Sequence, residues 1–167
     1  VLTSEYSSIT VIALLEQEIR NVVGTFYSQV LFADHEYQAH KLVEEAKSVT
    51  AESLSNIMKD LFDKYYGETV EKDELLSVIW SRIPHFFNSP FYVYQYATCF
   101  ASSALLYENA IKGKDDSKRE DSLKKYIELL SSGGNDFPMN QLEKAGVDLK
   151  SKETIRAVSS QLNNLLD

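Results

Sequence analysis

Between residues 4 and 45, apolar side chains fall at Ile9, Ile12, Leu15, Ile19, Val22, Val23, Phe26, Val30 and Leu31. That i, i+3, i+4 rhythm predicts one long helix, bent near Gly24. Thr50 then stands as an N-cap before Leu54, Ile57, Met58, Leu61, Phe62 and Tyr65, and Gly67 sits where a helix should stop, which predicts a second helix. A third over 73–82 carries Leu75, Leu76, Ile79 and Trp80 and is closed by Pro84, whose ring disfavours a helical residue before it. Ser89 as cap and Pro90 at the first helical position open a fourth, running to about Lys112.

The run Phe91-Tyr92-Val93-Tyr94-Gln95-Tyr96 alternates like a strand. Helix is the better reading, because Phe100, Ala101, Ala104, Leu105 and Ile111 continue a helical period and no turn residue intervenes. Asp115-Asp116-Ser117 starts a fifth helix ended by Ser131-Ser132-Gly133-Gly134, Phe137-Pro138 a sixth stopped at Gly146, and Ser151 caps a seventh. The class is all-α: a helical bundle of about seven helices, with no hairpin, repeat or linker. A chain of 167 residues suits a single helical unit over 1–167.

Composition narrows the function. A net charge of -8 argues against nucleic acid or anionic lipid as a partner, since phosphate binding needs clustered cations. The single cysteine, Cys99, excludes a disulfide framework and a four-cysteine zinc site, and makes a reducing cytoplasmic compartment the default. It sits in an apolar helical run, where a thiol is expected to be inert core. The uncharged stretch 86–107 is long enough to cross a bilayer, but it holds Asn88, Ser89, Pro90, Gln95 and four tyrosines. That polar load suits the centre of a bundle or a lined cavity, so no membrane is expected. The first residue is Val1, with no signal-peptide layout near it, as in a piece of something longer.

Three motifs invite chemistry and fail. Asp34-His35-Glu36-Tyr37-Gln38-Ala39-His40 suggests a zinc peptidase helix, but its histidines are five residues apart and so about 140° apart around a helix, against about 40° for a spacing of four. His35 and His40 are expected on the surface, and no metal is assigned. Gly133-Gly134 lacks the strand and the Lys-Ser/Thr pair of a phosphate loop. Lys112-Gly113-Lys114 with Lys118-Arg119 is interleaved with acids, as in a solvated helix start.

The segment 80–100 is denser in aromatics than a core requires. On a helix Tyr92 and Tyr96 share a face while Tyr94 points largely the other way, so the hydroxyls cannot all be buried in one apolar layer. Residue chemistry leaves core aromatics with satisfied hydroxyls open beside a functional wall.

Ile83-Pro84-His85-Phe86 followed by Phe91-Tyr92-Val93-Tyr94-Gln95-Tyr96-Ala97-Thr98 closely resembles the signature near the C-terminal end of oligoendopeptidase F, among the thimet-oligopeptidase-like zinc metallopeptidases. Gly24-Thr25-Phe26-Tyr27-Ser28-Gln29-Val30-Leu31-Phe32-Ala33, Tyr65-Tyr66-Gly67 and Ala145-Gly146-Val147-Asp148 resemble further landmarks of that family in the same order. The resemblance implies a fragment of a larger, clefted helical peptidase acting on oligopeptides. Zinc would belong to the full-length parent and none to this chain, because the H-E-x-x-H helix lies upstream. By the same resemblance His85 and Tyr96 are catalytic groups facing the scissile carbonyl, and Tyr92 and Tyr94 are substrate-binding candidates. A phenol or imidazole N–H aimed at a tetrahedral oxyanion stabilises it by about 3–4 kcal/mol. Family members commonly carry a further tyrosine soon after the histidine, where this chain has Phe86, Phe87, Asn88 and Ser89. The isolated chain is expected to be inactive, its other partner being the missing N-terminal part of the parent. The readings from other classes are a stand-alone helical module binding a peptide without cleaving it, and a purely structural helical domain.

Overall fold

The computed structural model describes residues 7–68, 70–111 and 115–166. The predicted helix start at Ser4, the helix end at Lys112 and the Lys112-Gly113-Lys114 cluster lie outside them. The described residues are all-α, with eight α-helices and no strand. In chain order they are α1 (Ser8–Val22), a π-helical turn (Val23–Tyr27), α2 (Ser28–Glu44), α3 (Ala51–Tyr66), a 3-10 helix (Glu74–Arg82), α4 (His85–Asn88), α5 (Tyr94–Ile111), α6 (Asp116–Ser131), α7 (Pro138–Lys144) and α8 (Lys152–Leu166). They sort into two compact units, residues 24–97 and residues 1–23 with 98–167.

In the unit 24–97, α2 packs on α3 and α3 on the 3-10 helix. Leu31, Met58 and Leu61, none more than 2% exposed, form the centre, and Phe32, Ile57, Phe62, Ile79, Trp80 and Phe86 close around them. Thr50 begins α3 through a full capping box: its hydroxyl accepts from the Ser53 N–H at 3.1 Å while the Ser53 hydroxyl accepts from the Thr50 N–H at 2.8 Å. The Asp34 carboxylate joins α2 to α3, accepting from Lys64 Nζ at 3.0 Å and the Tyr65 hydroxyl at 3.2 Å. The Trp80 indole N–H reaches Ser55 Oγ at 3.1 Å, fixing the 3-10 helix on α3.

Where the bend near Gly24 is predicted, the α-helical winding is interrupted by the π-helical turn Val23–Tyr27. The predicted third helix is wound as 3-10, starting from Asp73 as N-cap. The fourth is displaced: Ser89, Pro90 and Phe91 form a turn, and α5 begins only at Tyr94.

In the other unit α1 packs on α8, and α6 on α7. Leu106, Ala145 and Val147 form its buried cluster, with Leu105, Leu129, Leu142 and Leu149 against it. Gly146 ends α7 with φ +90, a conformation that favours glycine. On α8 the buried Thr154 donates its hydroxyl to the Asp148 carbonyl oxygen at 2.7 Å. Cys99 is exposed, contrary to the expected core thiol. Ala101 is buried, and a position two residues away on a helix faces about 200° from it.

Candidate active site

Pro84 ends one helical segment and begins the next, so His85 is the first residue of α4. A four-residue helix returns the chain quickly, the Ser89 N–H donating to the His85 carbonyl oxygen at 2.9 Å. The turn that follows holds Phe91 at φ +58, left-handed for a residue that is not glycine. That conformation costs about 1–2 kcal/mol. It is offset from α2: the Phe91 N–H donates to Glu36 Oε1 at 2.7 Å, and Glu36 is 6% exposed. A hydrogen bond to such a buried acceptor contributes about 1.5–3 kcal/mol, enough to hold the turn. The Phe91 ring meets the His40 imidazole at 4.4 Å. This bond, made far along the chain, is why Pro90 does not open the helix that its local sequence favours.

The turn places Tyr92 face to face with His85, the ring centres 5.5 Å apart and the planes within 10°. Tyr96, in the first turn of α5, stands with its ring steeply inclined to both, at 5.4 Å from Tyr92 and 6.0 Å from His85. Three of the four residues singled out in the sequence thus form one array. Tyr94 does not join it: 48% exposed, its side chain has no partner among the described residues. The Tyr96 phenol is held above its usual pKa, chiefly by its hydrogen bond with Tyr92 and further by burial. Tyr92 and Tyr96 are 42% and 38% exposed, so they are not the buried core phenols that residue chemistry left open. The array can offer hydrogen-bond donors to a group at its surface.

A cleft of about 200 Å³, to which none of the three array residues contributes, is lined by His35, Glu36, His40, Trp80, Phe86 and Phe87 among others. His35 is no surface residue. It is 2% exposed, stacks on Phe86 at 5.2 Å and donates from Nε2 to the Leu54 carbonyl oxygen at 3.1 Å. It sits on the face of α2 turned toward α3, which the five-residue spacing from His40 allowed but could not reveal. Burial lowers its pKa, and its Nδ1 is buried with no hydrogen-bond partner among the described residues. Glu36 and His40, four residues apart on α2, were in view in the sequence only as part of the failed zinc motif. That one glutamate followed four residues later by a histidine shares a helix face was the available signal.

No three His, Cys, Asp or Glu side chains among the described residues lie close enough to hold a metal ion. These residues do not fit a zinc site. No described helix is long and apolar enough to cross a membrane.

The model of Peptidase family M3 matches residues 2–159. The chain belongs to peptidase family M3. Its relatives in the family include the oligoendopeptidase F homolog of Borreliella burgdorferi, 39% identical over 83% of this chain and 22% of the relative. Among solved structures, a chain from Chlamydophila abortus designated a peptidase superposes with a TM-score of 0.87 at 34% identity, covering 98% of this chain and 27% of that one. Oligoendopeptidase-F from Enterococcus faecium superposes at 0.80 and 31% identity, covering 99% and 32%. The resemblance read from the sequence is therefore correct at the level of the family. The chain spans only about a quarter of the length of the M3 relatives it matches.

Proposed function

We propose that this chain is the substrate-gripping, C-terminal part of a zinc-dependent oligoendopeptidase that hydrolyses short peptides in the cytoplasm. The observation that carries the reading is the half-exposed array of His85, Tyr92 and Tyr96, formed by the residues that resemble the family's carbonyl-facing pair. As water adds to a peptide carbonyl, its oxygen gains charge, and donors already aimed at that point stabilise it without reorganising. Tyr96 supplies a phenol O–H, which is protonated at neutral pH even at its ordinary value of 10.0, and His85 an imidazole N–H. Tyr92, in ring contact with both His85 and Tyr96, positions the two donors, and Tyr94 has at most a peripheral contact with the peptide. Zinc belongs to the part of the parent upstream of this chain, so the chain alone binds peptide without cleaving it.

The test is made in the full-length gene product. Tyr96→Phe lowers kcat by about a hundredfold with KM little changed, because the bond strengthens only as charge develops. Tyr94→Phe stays near the parent rate. A Tyr94→Phe variant that is crippled beside a Tyr96→Phe variant that is normal would reverse the assignment of roles.

A further inference from the structure

The array owes its geometry to α2 rather than to its own helix. Tyr92 lies outside α5, in a turn whose conformation is unfavourable for the residue that occupies it. Two side chains one turn apart on α2 grip that residue. Glu36 accepts the Phe91 N–H at 2.7 Å, and His40 sets its imidazole against the Phe91 ring at 4.4 Å. Phe91 is adjacent to Tyr92, which stacks on His85 and meets the Tyr96 ring at 5.4 Å and a steep angle. The path from Glu36 to Tyr96 therefore runs through one hydrogen bond, one peptide link and one ring contact.

We propose that Glu36 and His40 are the positioning residues of the tyrosine array: by clamping Phe91 in its left-handed conformation they hold Tyr92 over His85 and against the Tyr96 ring. Neither touches the reacting atoms. Without the carboxylate oxygen Phe91 relaxes to negative φ, Tyr92 leaves the His85 face, and Tyr96 loses the partner that orients it. Glutamine retains an acceptor oxygen on a side chain of the same length, so it keeps the clamp. The functional consequence rests on the peptidase reading above, but the geometric one does not.

The experiment places 3-fluorotyrosine at position 92 of the full-length protein and reads its fluorine resonance together with peptide hydrolysis. In the parent the fluorine line is displaced by the His85 ring. Glu36→Leu should move it to the position of a solvent-exposed fluorotyrosine and lower kcat by about a hundredfold with KM nearly constant, the scale expected of a small misplacement of a catalytic donor. Glu36→Gln should restore both. His40→Ala, which removes a ring contact and leaves the buried carboxylate, should shift the line part of the way, and it serves as the second probe if Glu36→Leu does not fold. A fluorine line unmoved in Glu36→Leu, or in His40→Ala where the first is unfolded, overturns the proposal whatever the rates show. A line that moves as expected in a protein with no peptide hydrolysis upholds the clamp and overturns the peptidase reading instead.

Discussion

His35 donates from Nε2 to the Leu54 carbonyl oxygen at 3.1 Å while lying 2% exposed between α2 and α3. Burial, more than this bond opposes it, holds the imidazole below its ordinary value of 6.5. A group whose folded pKa is depressed stabilises the fold above its unfolded pKa, and the contribution is lost as pH falls through the folded value. Urea unfolding midpoints should therefore decline as pH drops from 7.5 through 6.5 toward 5. His35→Phe should flatten that part of the profile. An unchanged slope in the variant would assign the decline to other groups.

Asp34 titrates lower still. Burial pushes its carboxyl up, but hydrogen bonds from Gln38, Lys64 and Tyr65 outweigh that and bring it below 3.8. The stability it confers is present above that value and fades in stronger acid. Asp34→Ala should cost about 1–2 kcal/mol at neutral pH by urea unfolding, the low side of what bonds to a charged acceptor contribute, because its Lys64 partner is largely exposed to solvent. The gap between variant and parent should close below pH 3.8.

Thr50→Ala removes one half of the box that starts α3 and leaves the Ser53 N–H without its acceptor. The expected loss is about 1 kcal/mol. Amide exchange in the first turn of α3 should accelerate more than exchange around Met58 and Leu61, which the core protects.

Tyr92→Phe deletes the principal cause of the raised Tyr96 pKa. Spectrophotometric titration of phenolate should show Tyr96 returning toward 10.0, with Tyr94→Phe leaving it where it was. A Tyr96 value indifferent to Tyr92 would mean that the two hydroxyls do not meet in solution.

Much of this architecture is legible locally. Thr50, Asp73, Asp115 and the pair Pro138 and Gly146 mark helix boundaries through bonds or backbone angles set within a few residues, and each boundary falls where those residues indicate. The turn at Phe91 is not legible that way. Its governing bond comes from Glu36, and local preference for a helix opened by Pro90 loses to it. His35 escaped for a related reason: periodicity describes which residues share a face, while burial depends on what packs there, here Leu54 and Phe86. Cys99 shows the converse error, a place in an apolar run of sequence mistaken for burial. At the site, spacing paired Tyr92 with Tyr96 and separated Tyr94, but the orientation of Tyr92 depends on a turn rather than on the helical geometry assumed for it.

The bond between Glu36 and Phe91 joins positions 55 residues apart. Closing so long a loop is slow compared with winding any of the helices it encloses, so the tyrosine array should be the last part of its unit to assemble. It also opens readily, because Phe91 is held at positive φ and is half exposed. In mild denaturant the grip on Phe91 should fail while helix content is still intact, and the protein would lose the arrangement of His85, Tyr92 and Tyr96 well before it loses its fold.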